Sequence, residues 1–393
     1  MQNTYPASQD FAAITNGPSP LSLDNLAQLD AIPGNCSHSS FDNCDVYLTS
    51  KSNVSTNPAW LYGTPPAHDY STPSATSSAT IVYDHGDGTV DAFYMYFYAF
   101  NYGDVVLGQL LGNHVGDWEH TMIRFVNGQP TAVWFSIHDF GECYTYDSVS
   151  KHGGRPIAYS ALGSHGNHPV PGTYTRIIEG ISVNDSMSAG PLWDPTLNTN
   201  YYTYSPSSAP TDQPAGPDTS ILAGGGAFTA ASPNATPNWL YFLGRWGDQQ
   251  YPDSDPRQVN FLNLNATWEW VTGPTGPWDK QLVRSDACPT ASGSSCVTTS
   301  TLPPVTLPQS TAVISVPTSF PGLGSSAIGS GTGAVTPSVG ATVSAGQATG
   351  SAAASGASST AQPSGKTSGA SATRVSSRLS LLTCFVGVLR YLV

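Results

Sequence analysis

The stretch His120-Thr-Met-Ile-Arg-Phe-Val126, Asn127-Gly128, Gln129-Pro-Thr-Ala-Val-Trp-Phe-Ser-Ile-His138 reads as two strands joined by a two-residue turn. Asn-Gly lets both central residues take a positive φ, which the favoured hairpin turn requires and most residues resist. Pro130 follows the turn and has no N–H for the ladder, so the second strand is expected to lie near an edge or to begin late. Upstream, Asp91-Ala-Phe-Tyr-Met-Tyr-Phe-Tyr-Ala-Phe-Asn101 is an aromatic run of high β propensity behind the turn-like Asp84-His-Gly-Asp-Gly88. Further short strands are expected at residues 155–161, 174–183 and 239–243, and a long polar loop at 198–227. Residues 21–29 form the one convincing amphipathic helical stretch. Many short strands punctuated by Gly and Pro predict an all-β fold, a sandwich or barrel, read here as a β-sandwich-like single domain with long loops.

Outside that domain the composition changes. Residues 1–296 can form one large β-rich domain, but from 297 to 372 the chain is Ser, Thr, Ala, Gly and Pro with almost no aromatic residue. Such a stretch cannot bury enough apolar surface to offset its ordering entropy, so a disordered, O-glycosylated stalk is expected. Residues 373–393 follow as a C-terminal signal. Small residues Ser368, Gly369 and Ala370, a polar spacer through Arg374 and Arg378, and a terminal apolar run from Leu379 spell a GPI-anchor signal. The run is shorter than the roughly 20 apolar residues that span a bilayer, although a short tail anchor competes and Arg390 weakens both readings. The first thirty residues carry neither a basic n-region nor an apolar h-region, so no signal peptide is visible. Because an anchor signal requires entry to the secretory pathway, the N-terminus is expected to be incomplete.

Charge and cysteine usage agree with that compartment. Only 10% of residues are charged and the net charge is −13, an acidic balance that repels phosphate backbones and excludes nucleic acid as a partner. Cys36 with Cys44, and Cys288 with Cys296, are spaced as two local disulfides in an oxidising compartment, leaving Cys143 unpaired. Glycosylation sequons occur at Asn35, Asn53, Asn184, Asn234 and Asn265. A location in the secretory pathway follows, anchored at the cell surface or the vacuole.

Chemistry concentrates between His114 and His168, which bound six of the nine histidines. The densest piece is Gly112-Asn-His114-Val-Gly-Asp117-Trp-Glu119-His120. On a strand, Asp117 and Glu119 point to one face and His120 to the other. Two carboxylates with His114, and Asp104 upstream, suit a hard divalent cation, Ca²⁺ or Mg²⁺. The competing reading, loop-capping hydrogen bonds, has equal weight. A second cluster, Gly163-Ser-His165-Gly-Asn-His168, either approaches the first or holds a loop by backbone contacts, with the loop reading slightly favoured. Ser160 and Ser164 lack a Gly-x-Ser-x-Gly elbow, which argues against nucleophilic catalysis, and no catalytic residue is assigned.

The segments His114-Val-Gly-Asp-Trp-Glu-His120, Arg155-Pro-Ile-Ala-Tyr-Ser-Ala-Leu-Gly-Ser-His165, Gly244-Arg-Trp-Gly-Asp248, Tyr251-Pro-Asp-Ser-Asp-Pro256 and Gly273-Pro-Thr-Gly-Pro-Trp278 resemble the vacuolar protein sorting-associated protein 62 family. The resemblance runs over residues 79–283 and implies a role in vacuolar protein targeting. At Gly166-Asn-His168 the sequence departs from it. His114-x-x-Asp117-Trp-Glu119 also resembles the signature of necrosis- and ethylene-inducing (NLP-type) toxins, which implies a β-sandwich with a metal served by an upstream Asp, here Asp104. That signature has a second His where this chain has Gly116.

Three functions are expected to compete. The first is an anchored trafficking module whose cation at Asp104, His114, Asp117 and Glu119 holds a glycan or lipid headgroup, with His120, Arg155 and His165 as supporting residues. The second is a metal-dependent hydrolase with His165 or His120 as base. The third, an NLP-like membrane-active protein, conflicts with a membrane tether. A binding role is favoured over an enzymatic one, and its trafficking partners are not specified by the sequence.

Overall fold

The computed structural model describes residues 4–7 (backbone only), 22–26, 46–73, 75–138, 140–178, 180–206, 227–263, 267–289 and 297–304. The chain divides into two units, residues 1–326 with 380–393 and residues 327–379, and every described residue belongs to the first. Cys36, Cys44, Cys296, Asn35, Asn265, most of the stalk and the anchor signal lie outside the described residues.

The described strands are, in chain order, β1 (Thr4–Ala7), β2 (Tyr47–Ser50), β3 (Ser78–Asp84), β4 (Thr89–Asn101), β5 (Asp104–Val106), β6 (Gln109–Leu111), β7 (His114–Val126) and β8 (Gln129–Ile137). Then follow β9 (Phe140–Thr145), β10 (Lys151–His152), β11 (Arg155–Pro156), β12 (Tyr159–Ser160), β13 (Asn167–His168), β14 (Gly172–Ile178), β15 (Ile181–Met187), β16 (Thr199–Ser205) and β17 (Ala227–Ala230). Seven of them make the main sheet in the order β17-β16-β3-β4-β7-β8-β9. All its pairs are antiparallel except β16 with β3.

The fold is all-β and sandwich-like in its layering, because the sheet is apolar on both faces. Alternation along β4 and β7 sends Phe93, Met95, Trp118 and Met122 to the first face, under Trp239, Phe242, Trp246 and Trp278 of the C-terminal segment. Tyr94, Tyr96, Ile123 and Phe125 point to the second, where Val149, Ala158 and Trp193 cover them. Each fully buried large apolar side chain contributes about 1.5–3 kcal/mol, so the two faces together dominate the stability. A third apolar group, Phe100, Val115, Tyr251 and Trp270, closes one end.

The expected hairpin is β7–β8, with Asn127 at φ 51° and Gly128 at φ 77° in its turn. Its second strand is interior rather than at an edge. Pro130 is tolerated because the register shifts at Arg124/Phe125 and because β9 pairs only from Ala132 onward. Residues 174–183 fall in the β14–β15 hairpin, and 155–161 contain the two-residue strands β11 and β12.

Two expectations are corrected. Residues 239–243 are not a strand: Asn238–Tyr241 is a 3₁₀ turn, and Trp239, Leu240, Tyr241, Phe242 and Leu243 are all buried. A short run buried on every side carries no periodicity to separate strand from turn. The loop at 198–227 contains β16, whose tyrosines disguise a strand in polar letters: Tyr202 and Tyr204 are buried while Thr203 is half-buried. Of the amphipathic stretch at 21–29, residues 22–26 are described and form a turn. The folded part also extends past residue 296, since Thr299 bridges to Tyr144 and exchanges backbone hydrogen bonds with β9.

Candidate functional site

Strand β7 places Asp117 and Glu119 on the second face and sends His120 to the first. The strand kinks just before them at Gly116, φ 68°, where an added Cβ would lie 1.8 Å from the Trp246 carbonyl oxygen. No side chain fits there, so the missing second His of the NLP-type signature is a steric requirement of this fold. The kink turns the Gly116 carbonyl toward His114, whose Nδ1 approaches it at 2.7 Å. With Nδ1–H donating to that oxygen, Nε2 is left as an acceptor. Burial lowers the His114 pKa, favouring the neutral ring.

Asp117 is 6% exposed and lies 3.0 Å from His165 Nδ1. Burial opposes its charge, but the His165 hydrogen bond and the nearby histidines hold its pKa below the ordinary value. His165 is fixed from two sides. Its ring stacks on Tyr98 at 3.9 Å with 3° between planes, and its backbone is left-handed, φ 59°. Glu119, 4% exposed, has a pKa raised well above normal by burial and then by the Asp117 charge. Ser136 bonds the carboxyl group, but its Oε2 has no hydrogen-bond partner among the described residues.

A second acid organises the other half of the cluster. Asp185, on β15, receives Ser164 Oγ at 2.6 Å, Arg176 at 2.9 Å, and the Nε2 atoms of His138 and His168 at 3.3 Å. Burial disfavours its charge, but His138, His168 and Ser164 together hold its pKa far below normal. His138 is also left-handed, φ 54°. Non-glycine residues in that region cost energy and concentrate at functional positions. Gly166 lets the histidine turn close over the acid, since a Cβ there would meet Asp185 Oδ2 at 3.3 Å.

Not every expected residue joins this cluster. Asp104 joins only the Asp185 half, with His138 and Arg176, where burial and the Asp185 charge raise its pKa. His120 lies on the opposite face, in contact with Arg284 at 3.1 Å and with Phe93, so it cannot support the carboxylates or serve as their base. Arg155 pairs instead with Asp194 at 2.5 Å. The two histidine clusters do meet, through His165 on Asp117 and His168 on Asp185, against the loop reading. Asp185, His138 and Arg176 were missed because strand pairing, not sequence proximity, brings them in. Neither serine touches a histidine side chain: Ser164 serves Asp185, and Ser160 Oγ reaches the His165 carbonyl at 3.4 Å. Among the described residues no three His, Cys, Asp or Glu side chains are gathered to hold a metal ion. Cys143 is free and buried, and Cys288 is disulfide-bonded. Asn53, Asn184 and Asn234 are exposed.

The fold and site therefore define a loop-covered β-sheet protein with a buried acid/histidine cluster on one face. Residues 99–197 match the model of the family described as vacuolar protein sorting-associated protein 62. The matched stretch contains Asp104, His114, Asp117, Glu119, His165 and Asp185. The chain is 35% identical to the Saccharomyces cerevisiae protein TDA6, whose name provisionally assigns it to vacuolar protein sorting; the match covers 65% of this chain and 55% of that protein. It is 32% identical to Saccharomyces cerevisiae vacuolar protein sorting-associated protein 62, over 62% of this chain and 52% of that protein. The chain thus spans about half the length of these curated relatives. No solved structure matches it.

Proposed function

We propose that this chain acts in vacuolar protein sorting, in the vacuolar or secretory pathway, by binding an anionic lipid headgroup at the acid/histidine cluster through a divalent cation. The observation that carries the reading is Glu119 Oε2, a buried carboxyl oxygen beside the charged Asp117 that has no partner among the described residues. Buried polar atoms are almost always satisfied, and an orphan beside a second carboxylate suits a cation. Ca²⁺ or Mg²⁺ would be held by Asp117 and Glu119 with Nε2 of His114. Since these donors are not already gathered as a cage, the ion would draw them together and ionise Glu119. The sign of the charge decides the cation's part: the carboxylates alone would repel a phosphate.

A lipid source is favoured over a free glycan by the hairpin beside the cluster. From Asp104, β5 runs to a tip that exposes Val105 by 63% and Leu107 by 80%. Cosedimentation with phosphatidylserine vesicles, against phosphatidylcholine vesicles, tests the reading. Binding to the former with calcium, lost with chelator and in Asp117→Asn, is expected. Equal binding with chelator, or none in either condition, sinks it.

A hydrolytic reading has its own support in the Asp117–His165 pair, an acid fixing Nδ1 of a locked imidazole as in general-base sites. With no serine on the histidine, water would be the nucleophile. Turnover of phosphoester substrates abolished in His165→Asn would favour it over binding alone.

A further inference from the structure

Two of the sequence segments with the family resemblance, Gly244–Asp248 and Tyr251–Pro256, place no side chain in the acid/histidine cluster, although the Trp246 carbonyl packs against Gly116. Asp248 and Tyr251 instead meet the end of β2 around a cavity of about 430 Å³. That volume falls in the range of about 300–1,000 Å³ typical of small-ligand sites.

The walls are fixed in advance. Asp248 accepts the Ser50 backbone N–H at 2.9 Å and the Tyr251 hydroxyl at 2.6 Å, tying β2 to the loop. Arg257 pairs with both oxygens of Asp255, at 2.9 and 2.6 Å, and lies 3.7 Å from the centre of the Tyr251 ring. Rigid walls lower the ordering cost of binding. Lys51 and Arg257 balance Asp248 and Asp255 around the cavity, so its lining carries no net charge. Gln249 and Gln250 also line it, half-buried, with side-chain amides that make no hydrogen bond among the described residues. Each amide offers two donors and an acceptor, the complement of adjacent hydroxyl groups.

From this we propose that the cleft is a saccharide site, independent of the cation cluster. The sugar has two sources. Asn53 lines the same cavity, is exposed, and opens the sequon Asn53-Val-Ser55, so a glycan carried there would start at the mouth of the cleft. A free glycan would enter from solvent.

Saturation-transfer NMR with N,N′-diacetylchitobiose, on the full chain from a glycosylating host, tests the proposal. Ser55→Ala removes the sequon while keeping Asn53. If the chain's own glycan is the occupant, the parent gives no signal and Ser55→Ala gains one. If the source is free, both bind. In either case Gln249→Ala with Gln250→Ala, added to Ser55→Ala, weakens binding by about tenfold or more, the loss of one to two hydrogen bonds. Chelator and Asp117→Asn leave it unchanged, which separates this site from the headgroup site. No transfer to Ser55→Ala at millimolar sugar, or full binding after loss of both glutamines, overturns the proposal.

Discussion

Leu107 occupies a place that two other residue types would fill more cheaply. It and Gly108 form the β5–β6 turn at φ 51° and 82°, the same geometry that Asn127 and Gly128 give the β7–β8 turn. A branched apolar side chain in the left-handed region costs about 1–2 kcal/mol, and here it is 80% exposed. Leu107→Asn is expected to raise stability by up to about 1 kcal/mol, read as a higher Tm, while weakening vesicle binding. An unchanged vesicle affinity would remove the tip from the binding surface. Asp185 makes the opposite case, since its replacement should be severe. Asp185→Asn leaves Arg176 without its charged partner and should cost about 3 kcal/mol at neutral pH. Its folded pKa is depressed, so the stability it supplies is present above the unfolded value of about 3.9 and lost as pH falls below it. The gap in stability between parent and Asp185→Asn should therefore narrow below about pH 4 in denaturant titrations. A gap constant down to pH 2.5 or so would mean that the carboxylate is not held by its charge.

At the level of elements, the kink in β7 sets the site. Gly116 brings the strand against Trp246 so closely that only hydrogen fits, and that approach turns its carbonyl onto His114. Gly116→Ala should cost at least about 2 kcal/mol and loosen the C-terminal segment carrying Trp246, visible as faster amide exchange there. The carboxylate pair was legible from sequence because alternation alone assigns Asp117 and Glu119 to one face and His120 to the other. The Asn127-Gly128 turn was legible for a similar reason, being chemistry local to two residues. Strand β16 was not, because tyrosine hides a buried ring behind a polar name. Residues 239–243 were not, because burial on every side erases the periodicity that would have marked a turn.

At the scale of the molecule, the sequence revealed the all-β class and half of the cluster, but not how the halves meet. Asp185 is 68 residues from Asp117, and only the β14–β15 hairpin with the His165 turn brings it near. Such long-range pairing leaves no local trace. The same packing removes His120 and Arg155, which sequence proximity had grouped with the site, to Arg284 and Asp194. What remains is a sheet with the acid/histidine cluster on one face, carried within the stretch that matches the family model, and a neutral polar cleft built from segments outside it.

The cation is the central claim, and elemental analysis tests it most directly. The full chain, dialysed against micromolar calcium and magnesium, would be measured by mass spectrometry beside Asp117→Asn/Glu119→Gln, with thermal unfolding to verify that both are folded. About one Ca²⁺ or Mg²⁺ per parent chain, absent from the folded double variant, is the expected result. A folded parent that retains no divalent ion would contradict the account and leave the cluster as a hydrogen-bonded brace between β7 and β15.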